Sequence, residues 1–130
     1  MRTYKLPVIT DNYFVQLSEA KEAIDEVVKE LDKKPIVIKT LNMRVDTARD
    51  LVLKLYSTTS EMIKTAQLAE MAIVYGNRYR STIKEIDKGL ENAEMLYHKG
   101  NYKDALEVSL NSLEIVEKDI REKLMNVYSR

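Results

Sequence analysis

Residues 41–73 read LNMRVDTARDLVLKLYSTTSEMIKTAQLAEMAI. Small or apolar side chains fall there at Leu41, Val45, Ala48, Val52, Leu55, Met62, Ala66, Ala69 and Ile73, a 4,3,4,3 spacing that only Thr59 softens. Kept throughout the stretch without proline or glycine, such a seam specifies one long helix lying along partner helices in a left-handed bundle. It runs directly into Tyr75-Gly76-Asn77-Arg78-Tyr79-Arg80, a polar and aromatic cluster that a bundle core does not require. The combination points to a scaffold carrying a recognition patch rather than to a catalytic cavity.

The rest of the composition agrees with a helical reading. Among 130 residues there are two prolines, three glycines and no tryptophan, and 32% of the chain is charged. Helix breakers are therefore rare while Lys, Glu, Leu and Met, all good helix formers, are plentiful. A chain of this length can bury roughly two thirds of its unfolded surface in a single core. The fold class expected is all-α.

Twenty-one basic residues balance 21 acidic ones. No global field draws in nucleic acid, anionic lipid or a highly charged substrate, so any such contact must be local. With no cysteine there is neither a disulfide nor a thiolate metal site, which fits a reducing compartment. The start, Met1-Arg2-Thr3-Tyr4-Lys5, has no signal-peptide core, and no stretch approaches the ~18 apolar residues of a membrane span.

Working outward from the seam, residues 1–10 read as extended, with Pro7 disfavouring helix at Leu6. Thr10 or Asp11 can cap a first helix over 11–32, whose face carries Phe14, Leu17, Ala20, Ile24, Val27, Val28 and Leu31. Pro35 stops it. The long second helix is expected from Lys39 to Tyr75, continuous through Thr58-Thr59-Ser60-Glu61 because the apolar phase is unchanged there, although Thr58 with Glu61 fits a capping box. Gly76-Asn77 can end it, and Thr82-Ile83-Lys84-Glu85 is a capping-box pattern for a third helix carrying Ile83, Ile86, Leu90, Ala93 and Tyr97. Lys99-Gly100 closes that helix. Asn101 then caps a fourth, whose core face runs Ala105, Leu106, Leu110, Leu113, Val116, Ile120, Leu124 and Val127.

These parts assemble into one unit over 1–130: a coiled-coil helix pair at 11–80 and a helical hairpin at 81–130 packing on the long central helix. The first two helices alone leave apolar surface uncovered, to be met by another helix from a preceding segment or by a second copy.

Catalytic and metal chemistry find little to work with. His98 is the only histidine, and the repeated Glu-x-x-His pairs of a di-metal bundle are absent. With one histidine and no cysteine, no nucleophilic triad can be built, and no glycine-rich phosphate loop is present. Glu114 with Glu117, and Asp87 with Glu91, read as solvated-face charges with Lys partners. No enzyme activity, cofactor, metal or nucleic-acid partner is expected.

Two clusters hold more information. Ala93-x-x-Leu96-Tyr97-x-x-Gly100-x-Tyr102-x-x-Ala105-Leu106 is similar to the helix-turn-helix of a tetratricopeptide repeat, with small Ala93 and Ala105 at the contact and Gly100 at the turn. No second copy follows, so a tight helical hairpin is the simpler reading. Tyr75, Asn77, Arg78, Tyr79 and Arg80 form a candidate protein-binding patch, since they bring bidentate donors and flat amphipathic rings to a helix end. Equally, the tyrosines can pack on the fourth helix while the arginines are solvated or pair with nearby acids.

The stretch from Ala66 to Arg80, AQLAEMAIVYGNRYR, followed by Tyr97 to Glu107, YHKGNYKDALE, resembles the C-terminal part of the EzrA family of septation ring formation regulators. The similarity spans nearly the whole chain. It implies a spectrin-like antiparallel helical bundle, within a protein that lies on the cytoplasmic face of the cell membrane at the division septum. It implies negative regulation of FtsZ ring formation and scaffolding of other division or cell-wall synthesis proteins, with self-association possible. The family's transmembrane helix, its only membrane contact, lies outside these residues, which implies that Met1 begins a fragment. The family's midcell-targeting patch is a Gln-x-x-Asn-Arg type segment. Asn77, Arg78, Tyr79 and Arg80 match its latter part, and Val74 stands where glutamine is usual.

Overall fold

The computed structural model describes residues 6–129. Its architecture is all-α: α1 (Asp11–Asp32), α2 (Ile38–Gly76), α3 (Lys84–His98), α4 (Tyr102–Leu113) and α5 (Ile120–Tyr128), with a single 3-10 turn over Asn77–Tyr79 between α2 and α3. The heptad stretch lies inside one unbroken 39-residue helix, as its constant phase requires. Helix persists across Thr58–Glu61, so the capping box there goes unused.

Two compact units divide the chain, residues 10–61 and residues 6–9 with 62–129. In the first, α1 and the early part of α2 bury Ala20, Ala23 and Ala48, small side chains that permit close backbone approach. The Glu30 carboxylate is buried near the α1 C-terminus, where the helix dipole disfavours it. Lys33 Nζ at 2.9 Å and Arg44 Nε at 3.8 Å offset that cost. Phe14, Ile24, Val28 and Leu31 on α1, with Val45 and Val52 on α2, remain exposed, as expected of two helices without a third.

The second unit is built around Leu68, Ala72 and Ile73 of α2, Ile86, Leu90 and Ala93 of α3, Leu110 and Leu113 of α4, and Ile120 and Leu124 of α5. Helices α3 and α4 form the expected hairpin. At its turn Gly100 adopts φ +90°, and two hydrogen bonds, Asn101 N–H to Leu96 O at 2.9 Å and Gly100 N–H to Tyr97 O at 3.1 Å, complete a Schellman cap. Glycine also matters at Gly89, where a Cβ would lie 1.8 Å from Ser112 Oγ. The Tyr102 hydroxyl donates to Val8 O and accepts from Val8 N–H at 3.1 Å, which fixes residues 6–9 at the hairpin turn. Those residues are non-helical, as expected, while positions 1–5 of the extended reading lie outside the described residues.

Three boundaries differ from expectation. The single fourth helix is two: α4 stops at Leu113, and α5 begins at Ile120. Between them Glu117 N–H bonds back to Leu113 O at 2.9 Å and Ile120 N–H to Glu117 O at 3.2 Å. The β-branched pair Ile115-Val116 weakens helix there, and no glycine or proline announces the turn. At the start of α3 the cap residue is Ile83, not Thr82, whose hydroxyl turns back to Tyr79 O at 3.2 Å. Gly76 does close α2, but in right-handed geometry (φ −70°, ψ −17°) rather than as a left-handed cap. Its role is space: a Cβ would come within 2.6 Å of Leu90 Cδ1 and 3.0 Å of Leu113 Cδ2.

Candidate protein-binding surface

Tyr75, Asn77, Arg78, Tyr79 and Arg80 all sit where α2 gives way to the 3-10 turn, because Gly76 lets α2 approach Leu90 and Leu113 closely enough to bring its last turn against the carboxy-terminal core. Folding separates the five by role. The two tyrosines pack half-buried on that core. Their rings lie 6.3 Å apart in a tilted arrangement. Asn77 and Arg78 are exposed, and Arg80 is half-buried.

Arg80 is committed to its own fold. Its Nε donates to Asp87 Oδ1 at 2.8 Å, and Nη1 donates to Glu94 Oε1. The same Nη1 reaches Asn77 Oδ1 at 3.4 Å. Hydrogen bonds first to Asp87 and then to Glu94 push the guanidinium pKa further up, so the charge is fixed. Asp87 and Glu94 lie one heptad apart on α3, and Arg80 one heptad before Asp87. Arg121 of α5 repeats this arrangement in the opposite chain direction, with Nε 2.5 Å from Glu114 Oε1 and its two terminal nitrogens each 3.2 Å from a Glu107 carboxylate oxygen. Asp87 and Glu114 therefore face arginines rather than the expected lysines. The signal was present as the spacings 80, 87, 94 and 107, 114, 121; only packing shows that each arginine folds onto the carboxylates.

Tyr75 is anchored from the far side of the unit. Its hydroxyl donates to Glu117 Oε2 at 2.5 Å, and Glu117 also takes Lys123 Nζ at 3.4 Å. The bond to Glu117, with burial second, pushes the phenol pKa up to about 12. The same bond holds the Glu117 carboxyl below its ordinary value, aided by the positive charges of Lys123 and Arg78. Arg78 places its guanidinium carbon 4.1 Å from the Tyr75 ring centroid. Glu117, read from the sequence as a solvated-face charge with a Lys partner, does take Lys123 but also turns inward to Tyr75, because the α4–α5 break that aims it there was not legible.

Among the described residues no group of three or more His, Cys, Asp or Glu side chains could hold a metal ion, and no helix is long and apolar enough to cross a membrane. His98 is the last residue of α3, and its ring meets that of Tyr97 edge to face at 5.6 Å. Ala93 and Ala105 are fully buried at the hairpin, and Tyr97 and Tyr102 meet edge to face at 5.4 Å.

Comparison with known proteins gives one consistent result. The family model described as "Septation ring formation regulator, EzrA" matches residues 1–128. The chain is 35% identical to the septation ring formation regulator EzrA of Geobacillus sp. (strain WCH70), over 95% of this chain and 22% of the relative. It is 37% identical to that of Geobacillus kaustophilus (87% of this chain, 20% of the relative). Against that of Listeria monocytogenes serotype 4a the identity is 32% (99% of this chain, 23% of the relative). The chain thus spans between a fifth and a quarter of the length of these relatives. No solved structure matches.

Proposed function

The chain belongs to the EzrA family of septation ring formation regulators, and from that premise we propose that it is a non-enzymatic segment of a bacterial cell-division regulator. The family match over residues 1–128 carries this reading. In it, the protein restrains FtsZ ring assembly and scaffolds other division or cell-wall synthesis proteins from the cytoplasmic face of the membrane at the septum. Stiff helices hold the end of α2 in a fixed position, and the exposed Asn77 and Arg78 meet the partner.

The test is sedimentation of FtsZ polymers with the wild-type chain and with Asn77→Ala/Arg78→Ala, after circular dichroism shows equal helix content. Co-pelleting by wild type alone supports contact through the patch. Equal co-pelleting moves the contact elsewhere. No binding by either removes FtsZ as the direct partner of this segment. Arg80 stays intact in this variant, because its loss would lower stability and mix that effect with loss of contact.

A second reading, a structural spacer, draws on the inward commitment of Arg80, Tyr75 and Tyr79. It expects Asn77→Ala/Arg78→Ala to change neither partner binding nor septal localisation of the full-length protein. It expects Arg80→Ala to lower thermal stability.

A further inference from the structure

The five arginines among the described residues are not equally occupied. Arg44, Arg49, Arg80 and Arg121 each lie within ion-pair distance of at least one carboxylate. Arg78 lies within that distance of none, although its charge reaches Glu117 and helps hold that carboxyl below its ordinary value. Its guanidinium lies over the Tyr75 ring, a placement that leaves the in-plane N–H donors free for a planar acceptor. The ring beneath is itself held, since its hydroxyl is bonded to Glu117 and Glu117 to Lys123. A guanidinium that is already positioned loses less side-chain entropy on pairing than a free surface arginine. Val74, four residues before Arg78 in the last turn of α2, adds apolar surface on the same side and is 62% exposed.

We propose that the Tyr75–Arg78 platform binds an acidic, aliphatic segment of a protein partner: a carboxylate takes the fork of Arg78, and an aliphatic side chain covers Val74. Resting on the reading of the α2 end as a partner surface, this narrows it to one recognising cation. Arg80 has no part in the contact, because its donors are taken up by Asp87 and Glu94. A carboxylate suits the site better than a run of phosphates, since the Glu117 carboxylate, which feels the charge of Arg78, repels a polyanion more than a single anion.

The test is fluorescence anisotropy with the full chain and three labelled probes: a twelve-residue peptide alternating leucine and glutamate, its glutamine counterpart, and a twelve-nucleotide single-stranded DNA. The glutamate peptide is expected to bind. The glutamine peptide serves as the control for adhesion to the exposed apolar stripe of α1, and it and the DNA are expected to bind at least about tenfold more weakly. Arg78→Ala should weaken the glutamate peptide by about tenfold, and Arg78→Lys by several-fold, because an ammonium offers no fork. Arg80→Ala, measured well below its melting temperature, should stay within about twofold. Circular dichroism confirms folding of each variant. Equal binding of the glutamine peptide, tighter binding of the DNA, an Arg78→Ala affinity within about twofold of wild type, or no binding of the glutamate peptide overturns the proposal. If FtsZ co-pelleting is nonetheless lost in Asn77→Ala/Arg78→Ala, the partner-surface reading stands and only its acidic-segment form fails.

Discussion

The two halves of α2 carry one seam at one spacing, yet they end in different surroundings. Beyond Met62, Ala66 and Ala69 are fully buried and Ile73 is 9% exposed. Before it, only Ala48 is buried, while Val45 and Val52 keep 44% and 42% of their surface. A heptad pattern fixes which side chains share a helix face, but the energy of that face comes from what covers it. In the carboxy-terminal unit Ile73 of that face joins the core formed with α3, α4 and α5, together with Leu68 and Ala72 from beside the seam. In the amino-terminal unit, α1 meets the small face around Ala48 and leaves the larger residues in water.

Substitution inside the covered half should have the largest effect. Leu90 and Leu113 are fully buried, and either change to Ala should cost about 2–5 kcal/mol in urea unfolding, the usual range for a large-to-small change in a core. A cost below about 1 kcal/mol would mean that the unit is loosely packed, and the comparison would break. Next in size is Gly76→Ala. Added helix propensity favours the alanine by up to about 1 kcal/mol, but the new methyl meets Leu90 and Leu113. Net destabilisation of about 1–2 kcal/mol is expected by thermal melting, as for other overpacked sites; a gain in stability would show that the two leucines yield easily.

The heptad clamps should contribute less. Arg80 and its carboxylates are partly exposed (25% for Arg80, 49% for Asp87), so screening limits Arg80→Ala to about 1 kcal/mol. The loss should shrink in 1 M salt. A double-mutant cycle with Asp87→Asn measures the coupling, and a value of zero would make the clamp a passive surface contact.

The Tyr75–Glu117 latch should give a pH signature. A raised tyrosine pKa means that its stabilisation is present below the unfolded value of 10 and is lost as pH climbs through about 12. Glu117, with its pKa lowered, loses its contribution in the opposite limb, as pH falls below the ordinary carboxylate value of 4.5. Between pH 10 and 12 the melting temperature of wild type should therefore fall more steeply than that of Tyr75→Phe. Parallel curves would mean that the latch is open in solution. Smallest of all should be Ile24→Ser on the exposed stripe, within about 0.5 kcal/mol of wild type. A loss above about 1 kcal/mol would show that the stripe is covered in solution, and would remove the contrast between the halves.

Sequence alone determined the all-α class, the limits of α1, the continuity of α2 and the α3–α4 hairpin. Each follows from a local rule: hydrophobic period, the scarcity of helix breakers, or the left-handed turn that Gly100 adopts without strain. It also marked Tyr75 to Arg80 as unusual for a core. Tertiary structure alone decided how those residues divide. Arg78 and Arg80 are two positions apart and chemically identical, yet Asp87 and Glu94 occupy one while the Tyr75 ring carries the other. The break between Leu113 and Ile120 was likewise beyond the pattern, because Leu113, Ile120 and Leu124 keep helical spacing across it. What separates α4 from α5 is a turn that also lets Glu117 reach Tyr75 and Arg121 reach Glu107 and Glu114. Tyr75 and Glu117, 42 positions apart, meet without any local signature, and a heptad spacing of charges does not say which side chains fold onto one another; the period of the chain therefore reveals its helices but not how its charges pair.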